Sequence, residues 1–174
     1  ITLPLLRAAQ KVHPNLVVPH VDAKTDTYRG NCNQDYMQYN VATIFTRAAE
    51  EGLIDTNASL HIGPRGPTMD NSVFEHTREA GFQLIDGNDL FEIGLIKTAD
   101  NLVEQLKDRT VYLCFDMDFF DPSCAPGVCT PTWGGATARE GLGFLRKLKG
   151  LNIVGADINT VSPPNDVGGM TAFL

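Results

Sequence analysis

Val111-Tyr112-Leu113-Cys114-Phe115-Asp116-Met117-Asp118-Phe119-Phe120-Asp121 runs a β-rich apolar stretch into a tight group of carboxylates. The same arrangement occurs upstream, where Leu16-Val17-Val18-Pro19-His20-Val21 leads into Asp22-Ala23-Lys24-Thr25-Asp26. In an extended segment alternate side chains share a face, so Asp22, Lys24 and Asp26 are expected to project together, as are Asp116 and Asp118. Gathering four carboxylates is unfavourable unless cations neutralise them, and hard oxygen ligands on adjacent strands commonly hold one or two divalent metals. Lys24 breaks the pattern. A charged lysine has three donors and no lone pair, so it cannot ligate a metal, yet it lies between two aspartates that look like ligands.

Outward from these two stretches, short β-rich runs alternate with helical ones, which indicates a largely parallel sheet with helices on its faces. Further strands are expected at Ser59 to Gly63, Phe82 to Ile85 and Asn152 to Asp157, besides Leu16 to Val21 and Val111 to Phe115. Apolar residues at helical spacing mark residues 41 to 51 and 89 to 107. A third helix, 138 to 149, has a capping box in Thr137 and Glu140 and a terminator in Gly150. Pro19 is discordant within a strand, where a missing N–H interrupts a central ladder, and predicts a bulge or an edge position for the first half of that strand. Ile1-Thr2-Leu3-Pro4 begins as though within the first turn of a helix, and Met170 to Leu174 end on an apolar run. These features predict a single α/β domain over residues 1–174, cut at both ends.

At 174 residues the chain is long enough to bury a substantial core. Its 43% apolar and 20% charged residues argue against disorder. A net charge of -7 with no basic block argues against nucleic acid as a partner. No apolar run approaches the roughly 20 residues of a membrane span. Cys32, Cys114, Cys124 and Cys129 have neither paired CxxC spacing nor zinc-ribbon spacing, and read as free thiols of a reducing, cytoplasmic compartment.

In open parallel sheets the loops beyond the carboxyl ends of the strands form the ligand crevice. Asp22 to Asp26, Asp116 to Asp121 and Asn159 to Asp166 each come after a predicted strand, so all three groups are expected to face one crevice. Turn formation and helix capping would account for any one of them better than for three at the same edge.

Long stretches of this chain resemble the ureohydrolases, the family of arginase, agmatinase and related amidinohydrolases. Pro19-His20-Val21-Asp22-Ala23-Lys24-Thr25-Asp26-Thr27 is similar to the HxDAHxDT signature. Phe115 to Pro122, with Ala125-Pro126-Gly127 and Thr130-Pro131, resembles the second signature, DxDxxDPxxAPGxxTP. His61-Ile62-Gly63-Pro64-Arg65-Gly66 and Asp157 to Pro164 resemble two further landmarks, and Ile1 to Pro4 matches the residues immediately after the family's Gly-Gly-Asp-His segment. The likeness runs from end to end, with long motifs in order at suitable spacing.

The resemblance implies an arginase/deacetylase-like three-layer α/β/α fold and a pair of manganese, or sometimes nickel, ions that lower the pKa of a shared water for hydrolysis of a guanidino compound to urea and an amine. It implies Asp22 and Asp116 as ligands of both metals, Asp26 of the first and Asp118 of the second. Three departures stand against full function. Lys24 replaces a histidine ligand of the second metal. Tyr36 aligns with a histidine proposed to shuttle protons, a task ill suited to a phenol of pKa about 10. Thr160 replaces a glutamate that pairs with the substrate guanidinium. The expectation is an impaired subunit, with Lys24 among Asp22, Asp26 and Asp118 as internal counter-charge, that supports an active paralogue in trimers or hexamers, as in heteromeric amidinohydrolases where one subunit type has lost the metal site. The alternative is an active agmatinase-like enzyme with an unconventional, single-metal site. His20 is read as a neighbour of the site or a packed strand residue, His13, His61 and His76 as structural or surface residues, and Arg65 as a partner for acidic groups either within the subunit or across an interface.

Overall fold

The structure, a computed structural model, describes residues 1–30 and 38–174. Its strands are β1 (Pro19–Val21), β2 (Leu60–Ile62), β3 (Gln83–Ile85), β4 (Thr110–Asp116) and β5 (Asn152–Asn159). They form one sheet in the order β3-β2-β1-β4-β5, with every neighbouring pair parallel. The helices are α1 (Thr2–Gln10), α2 (Ile44–Glu50), α3 (Val73–Glu79), α4 (Gly87–Ile93), α5 (Leu95–Leu106), α6 (Ala138–Lys147) and α7 (Met170–Phe173). None is long and apolar enough to cross a membrane.

Strand alternation divides the core into two. Val18, Tyr112 and Cys114 face Leu3 and Leu6 of α1 and Phe45 and Ala48 of α2. Val17, Val21, Leu60, Ile62, Val111 and Phe115 face the opposite way, against Leu90 of α4, Leu102 and Leu106 of α5, and Phe144 of α6. Helices thus cover both faces, and the result is the expected three-layer α/β/α arrangement.

Local chemistry accounts for the element boundaries. Thr137 and Glu140 form the predicted capping box of α6, with the Thr137 N–H donating to Glu140 Oε2 at 2.9 Å and the Glu140 N–H to Thr137 Oγ1 at 3.3 Å. The single helix expected over 89 to 107 is two helices. Gly94, at φ 85 and ψ 140, ends α4 and begins α5, a conformation a side chain would resist. Helix α3 was not legible from apolar spacing, because its buried face consists of Val73 and the hydroxyl residue Thr77.

Pro19 lies in the middle strand of the sheet, not at an edge. Val17 exchanges both backbone bonds with β4, to Thr110 O at 3.0 Å and from Tyr112 N at 2.9 Å. The next N–H toward β4 would come from Pro19, which has none. The register is the same on both sides of it, Val17 opposite Val111 and His20 opposite Cys114, so the strand loses one bond without bulging.

Candidate metal centre

The carboxyl ends of β1, β4 and β5 open on one cavity of about 330 Å³, lined in part by Asp22, Lys24, Asp26, Asp116, Asp118 and Thr160. The three groups expected to share a crevice meet there through Asp22, Lys24 and Asp26, Asp116 and Asp118, and Asn159 and Thr160, but not through strand alternation. Asp121 and Asp166 turn away to bond the backbone, at Gly134 and Gly135 and at Thr171 and Ala172. β1 ends at Val21, and the chain then bends. The Lys24 N–H donates to Asp22 Oδ1 at 3.0 Å, a side-chain turn that aspartate favours. Asp26 comes next with φ 50, in the left-handed region. Asp118 sits in a 3-10 turn, Met117–Phe119, beyond the end of β4. Gly63, at φ 98, allows the loops to close on one another, since a Cβ there would lie 2.8 Å from the Phe119 ring and 3.0 Å from Asp22 O.

The four aspartates divide into two settings. Asp22, Asp26 and Asp116 gather with His20, each offering one ligand atom, and these atoms all lie within 4.8 Å of one another. His20 Nε2 is 3.2 Å from Asp22 Oδ2 and 3.1 Å from Asp116 Oδ2. Among the described residues Asp116 Oδ1 is buried without a hydrogen-bond partner, an orphaned acceptor of the kind a cation satisfies. Three clustered carboxylates suit a hard divalent ion, with the His20 imidazole hydrogen-bonded beside them, so this first setting fits the metal that the resemblance implies.

Asp118 forms the second setting. Its Oδ2 receives the Lys24 ammonium at 3.3 Å, and that ammonium also donates to Thr130 O at 3.3 Å and Thr132 Oγ1 at 3.0 Å. The expectation that Lys24 would sit among Asp22, Asp26 and Asp118 is thus corrected. The bend after β1 turns its side chain toward the loop beyond β4, and its bond to Asp22 comes from the backbone. Asp118 Oδ1, like Asp116 Oδ1, is buried without a hydrogen-bond partner among the described residues, but the ammonium on Oδ2 repels a metal and cannot ligate one, so the second setting as it stands does not fit a divalent ion.

Charge crowding shows in the titration of these groups. Burial pushes Asp22 well above the usual carboxylate range, with the charges of Asp26 and Asp118 adding to the effect and His20 opposing it. Burial likewise pushes Asp26 up to about 7, against the attraction of His20, with Asp116 and Asp118 reinforcing the rise and Lys24 opposing it. For His20 burial favours the neutral ring, but Cys114 and the carboxylates of Asp116 and Asp22 reverse that and hold it well above its ordinary value. Burial pushes the Cys114 thiol itself up to about 12, so it is neutral at physiological pH and the carboxylates are the operative cause.

His61 is part of this network, which its sequence context did not suggest. It stands opposite His20 in the β1–β2 register, and the two Nδ1 atoms are 2.8 Å apart. Burial and the neighbouring His20 hold its pKa well below the ordinary value. Its Nε2 has no hydrogen-bond partner among the described residues, and its ring meets Phe45 and Phe82 edge-on. The available signal was positional, because His20 and His61 each lie within a short strand candidate beside a signature motif.

Within the chain Arg65 bonds to carbonyls and to no carboxylate among the described residues. Its guanidinium donates to Gly63 O, Asp118 O, Phe120 O, Thr132 O and Trp133 O at 2.7 to 3.3 Å. Thr160 lies at the cavity with φ 68, an uncommon conformation for a β-branched residue. Its Oγ1 accepts from the Asp118 N–H at 3.3 Å and donates to Asn159 O at 2.7 Å. Tyr36 falls outside the described residues. Cys114, Cys124 and Cys129 are free thiols, and Cys32 falls outside the described residues.

The family model described as the arginase family matches residues 1–174. An agmatinase of Enterobacter sp. (strain 638) is 39% identical over 177 residues, covering 99% of this chain and 52% of the relative. The proclavaminate amidino hydrolase of Streptomyces clavuligerus superimposes with a TM-score of 0.89 at 37% identity, over 98% of this chain and 56% of that one. A hypothetical agmatinase of Burkholderia thailandensis does so with a TM-score of 0.84 at 33% identity, over 98% and 51%. The chain spans about half the length of the curated relatives it matches.

Proposed function

The chain belongs to the arginase family, and on that premise we propose that it is a ureohydrolase-type subunit with a degraded dinuclear metal site, which supports an active paralogue in the hydrolysis of a guanidino compound to urea and an amine. The observation that carries this reading is the Lys24 ammonium, 3.3 Å from Asp118 Oδ2, where a second divalent ion would need that carboxylate. Thr160 supports it. At the position where a guanidinium would need a carboxylate, it offers a hydroxyl already engaged by Asp118 and Asn159. The names of the relatives, agmatinase and amidino hydrolase, support an amidine-type substrate for the assembly. The partner is an active paralogue or further copies of this chain, in a trimer or hexamer. The free thiols favour a cytoplasmic setting.

The family is metal-dependent, and in this chain Asp22, Asp26 and Asp116 would hold such an ion, with His20 bonded to two of these carboxylates and Asp118 paired with Lys24. A bound manganese or nickel ion supplies Lewis-acid activation of water. Within the described residues, the chain's own contribution is to gather the carboxylates, to orient Asp22 and Asp116 through His20, and to set the wall of the cavity with Thr160 and Thr130.

A second reading is an active agmatinase-like enzyme with a single metal, favoured by the partnerless Asp116 Oδ1 beside three other ligand atoms. The two are separated by purifying the full-length protein alone after growth with manganese or with nickel. Metal content is measured by elemental analysis, and urea release is assayed with agmatine. The supporting subunit is expected to release no urea and to hold fewer than two metals. Urea release with one metal selects the second reading, and urea release with two overturns the degraded site altogether.

A further inference from the structure

We propose that the Lys24 ammonium is the resident cation of the Asp118 position: it neutralises that carboxylate from within the chain and ties the bend after β1 to the loop at residues 130 to 132, so that this half of the site is ordered without a metal ion. This role in folding stands whether the chain proves catalytic or not.

Asp118 is 2% exposed, and a carboxylate so placed needs both hydrogen bonds and a counter-charge. Among the described residues, Lys24 is the cation within ion-pair distance of its side chain. The Arg65 guanidinium, though close, is spent on the backbone oxygen of Asp118 at 2.8 Å. Three protons on the lysine nitrogen meet three acceptors, Asp118 Oδ2, Thr130 O and Thr132 Oγ1. Thr130 Oγ1 adds a further donor to the same carboxylate oxygen at 3.4 Å, while Oδ1 has no partner among the described residues, so the charge is compensated on one oxygen.

The dimensions of this cage point in the same direction. Its oxygens stand 3.0 to 3.3 Å from the nitrogen, whereas divalent ions hold oxygen at about 2.0–2.6 Å. These are ordinary N–H···O lengths for an ammonium in place. The lysine side chain is 22% exposed, so its charge is largely sequestered with its partner and not spread into solvent. Two of the three acceptors lie 106 and 108 residues away in sequence, which makes the contact a tertiary clamp.

The test is a double-mutant cycle on the full-length protein, with Lys24→Met, Asp118→Asn and the two combined, melted in EDTA. Lys24→Met should lower the melting temperature by roughly 5 °C or more, because it leaves a buried carboxylate without its charge partner. Adding Asp118→Asn should restore more than half of that loss. Equilibrium dialysis with manganese should find no second equivalent on the unsubstituted chain. The proposal is overturned if Lys24→Met melts like the parent, if the double variant is no better than Lys24→Met, or if two manganese ions bind the parent. Should Lys24→Met fail to fold, the double variant decides: a folded double variant supports the clamp and an unfolded one overturns it. Urea release by the parent would sink the supporting-subunit reading and leave the outcome of this cycle unaffected.

Discussion

His20 and His61 occupy the same register of neighbouring parallel strands, and their Nδ1 atoms meet at 2.8 Å in the interior. The pair is the link between the carboxylate site and the core, since His20 carries Asp22 and Asp116 on its other nitrogen while His61 packs between Phe45 and Phe82. His61→Ala should therefore both open a cavity and leave His20 Nδ1 without its partner. Urea denaturation should show a loss of about 2–4 kcal/mol. A loss below about 1 kcal/mol would show that the ring is not packed as described.

Arg65 joins five carbonyls from three segments, including those of Asp118 and Thr132 that flank the Lys24 contact. Arg65→Met should cost about 2–3 kcal/mol, because carbonyls are left without donors at a half-buried site. Arg65→Lys should recover little of this, since an ammonium lacks the planar fork. Amide hydrogen exchange across residues 118 to 135 should quicken in both variants.

Thr160 holds φ 68 with a branched side chain. Asparagine tolerates that region far better and keeps an acceptor for the Asp118 N–H. Thr160→Asn is expected to raise stability by about 1 kcal/mol in chemical denaturation. A loss of stability would show that the methyl group of Thr160, and not its backbone, governs the position.

Asp55 accepts from the Arg109 guanidinium at 2.5 Å, which holds its carboxyl below the ordinary value despite some burial. A depressed folded-state pKa contributes stability that is present above the unfolded value of about 4 and is lost as pH falls through the folded one. Asp55→Asn should thus flatten the acid limb of the stability curve below about pH 4, by no more than about 1 kcal/mol for a pair about one-third exposed. Melting curves of both proteins from neutral pH into this range provide the check.

The sheet and its crevice were legible because β1 and β4 are apolar runs that each stop at an aspartate, and a parallel sheet leaves little choice about where such ends meet. The gathering of Asp22, Asp26 and Asp116 came from the same pattern, although the reason was different: turns deliver Asp26 and Asp118, not continued strands. The partner of Lys24 was less accessible. Which carboxylate it reaches depends on a bend locked by Asp22 Oδ1 and on acceptors at Thr130 and Thr132, contacts that local spacing does not encode. Arg65 looked like an ion-pair residue because charge is visible in a sequence and a converging set of carbonyls is not. The break at Gly94 was hidden by apolar spacing that continues across it on both sides.

Lys24 also changes what the site depends on. A bound ion exchanges with its surroundings, so its occupancy tracks supply and competition, but a cation fixed to the backbone is present at the same local concentration in every copy of the chain. Scarcity of manganese or nickel would thus empty a conventional site while leaving the Asp118 loop of this protein in place. The bend after β1 and the loop at residues 130 to 132 would stay joined through metal starvation, when a site held by an exchangeable ion would come apart.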